Sequence, residues 1–393
     1  GNSLHGYELN EWGLQAAYSF LGVANRAFVL RANVDTSELI GSATAPTANP
    51  TDGSYWFDLA SSSYGIFEWN KTDQLFTTIT PTLITSVTDL VGGVSTGAPK
   101  TTIGVEGDYA INTTHVTNKM YKKTPANTWV QLGSVAWHLS IPVISVASGT
   151  TVTGGHTIKI NGKTVTPGGT ALSDVATAIT TANPGGVSAA VNSTTGNLEI
   201  FHNGLSFGDS TAGDGTIRFE AGTGTLLADL GITAGTVKNA KFLQDKHTNR
   251  PTWKTADEDR PSGSVWFKTT SANSGANLVA KLYSSASASF STVAAPLYAN
   301  NHGAIYNLDP AKGGAGLTVG NLYAQYNVTE QSSDGQSDVT PNVGDFQLFR
   351  YEGGATTITS NSTSPTFTSS ETFIIQESVK NSSTLAAAKT VTL

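Results

Sequence analysis

The pentapeptides Gly53–Phe57 (GSYWF) and Gly263–Phe267 (GSVWF) lie in opposite halves of the chain and differ at a single position. In each, a glycine turn runs straight into a short aromatic strand, which is how a β-hairpin opens. Three longer passages share this plan: residues 50–70, 105–133 and 260–283. Each begins with a glycine-containing turn and an aromatic or β-branched strand, then returns through a polar linker into a second strand. Two readings stand. Either a surface hairpin has been duplicated (or reached by convergence), or these are the aromatics that alternate in any half-exposed antiparallel sheet.

Composition points the same way. Charged residues make up 13% of the 393, about half of the ~25% usual in globular proteins. Glycine, with 41 residues, takes much of the difference together with Ser, Thr and Ala. Hydrophobic content of 38% with 7 Trp, 12 Tyr and 15 Phe is enough apolar area for several small cores and is not a disorder signature. A prior of roughly 150 residues per domain gives two to four domains. The formal charge of −7 argues against nucleic-acid binding, which needs clustered Lys and Arg. Lys122-Lys123 is the longest basic run and reads as solvation. The absence of cysteine excludes disulfides, thiolate metal sites and cysteine nucleophiles. No run approaches the ~20 apolar residues of a membrane-spanning helix. The chain starts at Gly1 and its one methionine is Met120, so a fragment or processed chain is expected.

The expected fold class is α+β, β-rich and multidomain. Residues 1–90 with 239–393 are expected to form a discontinuous domain, 91–142 a hairpin subdomain, and 143–238 an inserted surface α+β domain. The insertion opens with two alternating strands around Asn161-Gly162, a type I′ turn signal. Leu172, Val175, Ala176 and Ile179 then recur at helical spacing, with Thr170 as N-cap and residues 183–186 as the stop. Strands at 187–191, 197–202 and 216–220 and a short helical piece at 225–230 complete it. Beyond it, strands are expected at 321–328, 345–351 and 372–376, with 296–317 as a long loop. At the other end of the chain, Leu14, Ala17, Tyr18 and Leu21 mark an amphipathic helix with Asn10 as N-cap and Gly22 as stop. Ala27–Leu30, continued through Ala32 and Val34, reads as a buried strand, which makes an N-terminal helix–strand α/β edge.

That edge carries a family resemblance. Leu9–Leu14, Ala16–Tyr18, Leu21–Gly22, Asn25–Val29 and Arg31–Ala32 (LNEWGL, AAY, LG, NRAFV, RA) resemble the tail sheath proteins of contractile-tailed, myovirus-type bacteriophages, especially large ones. The resemblance is fainter in RPSGSVWFKTT and APLYANN. Separately, the hairpin–helix–strands order of 143–238 resembles the small insertion modules of flagellar filament, hook-associated and phage tail proteins. The sheath resemblance implies a virion structural protein, assembled in host cytoplasm. Its subunits form stacked helical rings around a tail tube, engage tube and baseplate proteins, and contract to drive the tube through the host envelope. The resemblance carries no chemistry of its own; no enzyme activity, cofactor, metal, nucleic-acid or membrane partner is expected from the charge, the apolar run lengths and the motifs. A fragment without the arms that link neighbours is expected to be a monomer. Trp12, Leu14, Tyr18, Leu21, Phe28 and Leu30 read as core.

The residues give no catalytic, cofactor or metal assignment. His5, His115, His138, His156, His202, His247 and His302 form neither HxH nor HExxH, so each reads as satisfied or solvated. There is no GxSxG elbow and no phosphate loop, and Gly222–Leu227 (GTGTLL) reads as a turn. Asp209 and Asp214 could ligate Ca²⁺ but miss the EF-hand spacing. Asp257, Glu258 and Asp259 read as a solvated loop. Glu68 beside Trp69, with Asp58 on a neighbouring strand, could supply the two carboxylates and aromatic platform of a glycosidase; half-exposed sheet aromatics account for the same residues. The alternatives to a sheath subunit are a host-glycan-binding fibre, spike or adhesin, and a glycan hydrolase.

Overall fold

The computed structural model describes residues 39–46, 50, 52–92, 97–205, 215–251, 260–310, 317–318, 320–328, 343–351, 355–358 and 371–374. The helix and strand expected over residues 10–34 lie outside the described residues. The protein is a β-rich α+β multidomain fold. Two compact units divide the chain. One comprises Gly1–Ser62, Leu278–Val328 and Phe346–Leu393; the other comprises Ser63–Asn277 and Thr329–Asp345.

One β-meander recurs four times, built on the central strands Tyr55–Asp58, Tyr109–Asn112, Val265–Lys268 and Leu322–Tyr326. We number the meanders in that order. The first and fourth central strands lie in the first unit, the second and third in the second unit. Each strand starts two residues after a glycine: Gly53, Gly107, Gly263 and Gly320, with φ of 83°, 87°, 79° and 89°. A side chain in that region is strained, so glycine sets where the strand can begin. A leading strand runs parallel on one side, and its last residue always meets the same position: Ser42↔Asp58, Ile84↔Asn112, Asp245↔Lys268 and Tyr298↔Gln325. On the other side an antiparallel strand pairs as Tyr55↔Leu282, Tyr109↔Lys122, Val265↔Glu68 and Leu322↔Arg350. The turn is tied identically each time. The N–H groups of Tyr283, Lys123, Trp69 and Tyr351 donate to the carbonyls of Ser54, Asp108, Ser264 and Asn321 at 2.9, 2.8, 2.8 and 2.8 Å. The four meanders share one register, and a slip of one residue would reverse every side chain.

The sequence reading has each passage returning onto its own first strand. This holds for the second meander, where Thr117–Lys123 pairs with Tyr109–Asn112. The first and third differ, because their hairpins are traded. Hairpin Ile66–Ile79 follows the first central strand in sequence but pairs with the third, whereas hairpin Ala280–Val293 follows the third but pairs with the first. The two hairpins are equivalent in detail. Their four-residue loops close at Asn70↔Leu75 and Ser284↔Ser289, and both end on a left-handed residue, Gln74 (φ 55°) or Ala288 (φ 48°). Phe290 lies 5.5 Å from Trp56 and 5.2 Å from Tyr283; Phe76 lies 5.5 Å from Trp266 and 5.2 Å from Trp69. Short bridges Ser63–Tyr64 and Ala276–Asn277 pair where the two segments cross.

Residues 143–238 contribute a self-contained core within the second unit. Its buried members, from Val146 to Ile232, include Ile158, Ile160, Ile179, Leu198, Ile200, Ile217 and Phe219, all fully enclosed. Strand Leu198–His202 lies between Ile144–Val146 and Val187–Val191; Ile158–Ile160 lies between Lys163–Val165 and Thr216–Ala221. Asn161 and Gly162 both adopt positive φ, 49° and 77°, as a type I′ turn requires. Helix Leu172–Ala182 buries Leu172, Val175, Ala176 and Ile179. Its start is not capped by Thr170. The Asp174 carboxylate accepts from the Ala171 N–H at 3.1 Å instead, which also places a negative charge in the first turn. In the stretch read as a loop over 296–317, Asn301–Leu308 is helical.

A Cβ added at Gly53 or Gly107 would meet nothing within 4 Å, so Ala at either position tests backbone strain alone. Gly53→Ala and Gly107→Ala should each lower stability by about 1–2 kcal/mol, measured by denaturant unfolding. Losses near zero would contradict the shared turn geometry.

Candidate functional site

The second unit holds a cleft of about 720 Å³ at the root of the 143–238 block. Both connectors of the block line it, through Ser140–Val143 on the way in and Thr236–Lys238 with Ala240 on the way out. The glycine turns of the second and third meanders also line it, through Glu106-Gly107 and Pro261–Gly263, together with Lys71 and Lys122–Pro125. Lys71, Lys122, Lys123 and Lys238 line it with Glu106, but Lys122 is ion-paired with Glu68 and Lys123 is buried, so any positive excess of this surface rests on Lys71 and Lys238. Hydroxyls of Thr124, Ser140, Thr236 and Ser262 lie among them.

The two adjacent lysines are not simply solvated. Lys123 is buried, and its ammonium donates to the carbonyls of Thr101, Ile103 and Gly104 at 2.7, 2.6 and 2.7 Å while sitting 5.6 Å above the Trp129 ring. Three carbonyl dipoles replace the water that a buried charge would otherwise lack. Lys122 bonds Glu68 Oε1 at 2.5 Å, and the Tyr109 hydroxyl donates to Glu68 Oε2 at 2.7 Å. Burial and the Glu68 carboxylate push the Tyr109 hydroxyl well above its ordinary pKa, so it stays a donor.

The glycosidase pairing is corrected by the strand order. Glu68 sits between Val265 and Thr77, whereas Asp58 lies on a strand whose neighbours are Gly41–Ser42 and Ala280–Ser284. Asp58 is buried as an acceptor for the Ala60 and Ser61 N–H groups, the Ser61 hydroxyl and Lys281. Burial opposes its ionisation, but Lys281 and Ser61 still hold its carboxyl below the ordinary range. Trp69 is not an exposed platform either. It is buried against Phe76, with the Arg260 guanidinium 4.9 Å from its ring.

Among the described histidines, His115 accepts from the Thr117 N–H, His156 pairs with Thr225, and His247 lies 3.3 Å from Asp245 at the surface. His138 and His202 are buried together. Asn239 donates to the His202 carbonyl at 2.8 Å and lies 3.3 Å from His138 Nδ1. Burial first, then the nearby His202 and Lys241, depress His138 to a pKa of about 4. Of the stretch Gly222–Leu227 read as a turn, Thr223–Thr225 bend, with the Thr157 N–H donating to the Thr223 carbonyl at 2.8 Å, and Leu226 and Leu227 open helix Leu226–Asp229. His5, Asp209, Asp214 and Asp257–Asp259 lie outside the described residues. Among the described residues no cluster of three His, Asp or Glu is placed to hold a metal, and no helix is long and apolar enough to cross a membrane. Compared with protein-family models, curated proteins and solved structures, the chain gives no match.

The cleft leaves little trace in the sequence because its four lysines come from three separate segments. Only the Lys122-Lys123 pair left a local signal.

Because His138 is held neutral, the unfolded chain binds the extra proton first, at its ordinary pKa of 6.5. Stability from this group is complete above about pH 6.5 and lost as pH falls toward about 4, by about 3 kcal/mol in all. Denaturant unfolding at pH 7 and pH 4.5 should show the loss, and His138→Gln should flatten that dependence.

Proposed function

We propose that this chain is a structural subunit of a contractile phage tail sheath, assembling with copies of itself into stacked helical rings around a tail tube. The observation that carries this reading is the run of matches from Leu9 to Ala32, LNEWGL through RA. Several short matches in fixed order are far more specific than a single motif of that length. In this reading the subunit belongs to the virion, engages tube and baseplate proteins, and performs no catalysis. Contraction is a switch between two packings of the same subunits, with energy held in repeated interfaces. Such a subunit must keep its own fold while its neighbours move. The fold is suited to that demand: Asp58, Lys123 and Lys268 are spent as buried internal locks within the meanders. Electron microscopy of the full-length protein, or of the particle that carries it, should reveal hollow helical tubes built of rings. Discrete trimers or thin fibres would contradict the reading.

The lysine-rich cleft favours a second reading, a host-surface module that binds acidic glycan. Its hydroxyls, with the ammonium groups of Lys71 and Lys238, match the hydroxyls and carboxylates of such a polymer. The double variant Lys71→Glu with Lys238→Glu should then weaken retention on an acidic polysaccharide at least tenfold at low salt. Unchanged retention would remove this reading and leave the first intact.

A further inference from the structure

The first and third meanders each form a seat: a leading strand and a central strand whose open side receives a hairpin from the other meander. Charge decides which hairpin fits which seat. In the first seat Asp58 is buried and ion-pairs with Lys281 of hairpin Ala280–Val293 at 2.7 Å. The same hairpin position in Ile66–Ile79 is Phe67, because Lys281 faces Trp56 and Phe67 faces Trp266. In the third seat the position of Asp58 is held by Lys268, equally buried, whose ammonium donates to the Thr248 and Asn273 carbonyls at 2.8 Å each. If each hairpin folded back onto its own central strand, Lys281 would face Trp266 with Lys268 as its diagonal neighbour, and Phe67 would face Trp56 with Asp58 as its diagonal neighbour. One arrangement places two ammonium groups together and the other leaves a buried carboxylate without its partner. Both are costly where water is excluded.

We propose that the two seats also accept the hairpins of a second copy of this chain, so that the protein forms dimers, and in an assembly longer arrays, by hairpin exchange. The inference rests on the pairing pattern and not on the sheath reading. A hairpin that cannot use its own seat must find the complementary one, and a second copy presents the same seat with the same contacts. Exchange therefore keeps the strand pairing and ion pair of each seat, and protein concentration shifts the balance between the two outcomes. The connectors are short, residues 59–65 and 269–279. Within one chain they hold the hairpin near its seat at an effective concentration on the order of millimolar. At micromolar protein the intrachain arrangement wins. Copies packed side by side supply one another's hairpins at comparable concentration.

The chain has no cysteine, so engineered thiols report pairing directly. Tyr55 and Leu282 stand opposite one another in the first seat. In the double variant Tyr55→Cys with Leu282→Cys, refolding at micromolar concentration followed by oxidation should give a monomer with an internal disulfide. Single variants Tyr55→Cys and Leu282→Cys, mixed, unfolded and refolded together, should give a disulfide-linked heterodimer. Its yield should rise with concentration and exceed either homodimer severalfold. Should the Tyr55 variants fail to fold, Val265→Cys and Glu68→Cys read the third seat in the same way. Heterodimer no more abundant than the homodimers at any concentration would overturn the proposal.

Discussion

Each central strand must satisfy both of its backbone edges, and the rest of the architecture follows from that requirement. The strands Tyr109–Asn112 and Val265–Lys268 are buried at every position, and Leu322–Gln325 likewise. An unpaired N–H or C=O there would cost a full desolvation penalty. A parallel neighbour covers one edge and an antiparallel neighbour the other, always in the same register from the glycine. Where the next stretch of chain supplies the antiparallel partner, the meander is local. Where charge forbids that partner, the chain reaches across, and two local hairpins become one interlocked pattern.

The position five residues after the glycine shows how this requirement meets the low charge of the chain. It is Asp58, Asn112, Lys268 and Gln325 in the four meanders, polar and buried every time. Three of them are visibly provided for. Asp58 has Lys281 and Ser61, Asn112 bonds Gly97 and Thr114, and Lys268 caps two carbonyls. A buried polar group adds little stability over an apolar one of the same shape, but it penalises every wrong partner. Here the identity of that residue separates one seat from the other.

Much of this was legible in the sequence, and the limits were physical. The Gly-Ser-x-Trp-Phe match, the Asn161-Gly162 turn and the Leu172–Ile179 spacing are local signals, and the structure realises each of them. The fourth meander has a weak local signal because Tyr323 and Ala324 stand where the first and third have Trp-Phe; the glycine and the buried polar residue persist. The hairpin exchange escaped because both topologies have the same strands and turns. It is encoded in Asp58, Lys268, Lys281 and Phe67, whose meaning appears only once strands are paired. The cleft escaped for the related reason that Lys71 and Lys238 are distant in the chain.

The most direct test of the exchanged topology is a set of double-mutant cycles on the aromatic contacts. Trp56 with Phe290 and Trp266 with Phe76, each truncated to Leu, should show coupling of about 1 kcal/mol in unfolding free energy. Trp56 with Phe76 should show none. Coupling between Trp56 and Phe76, with none between Trp56 and Phe290, would mean that each hairpin folds onto its own strand and would contradict the account.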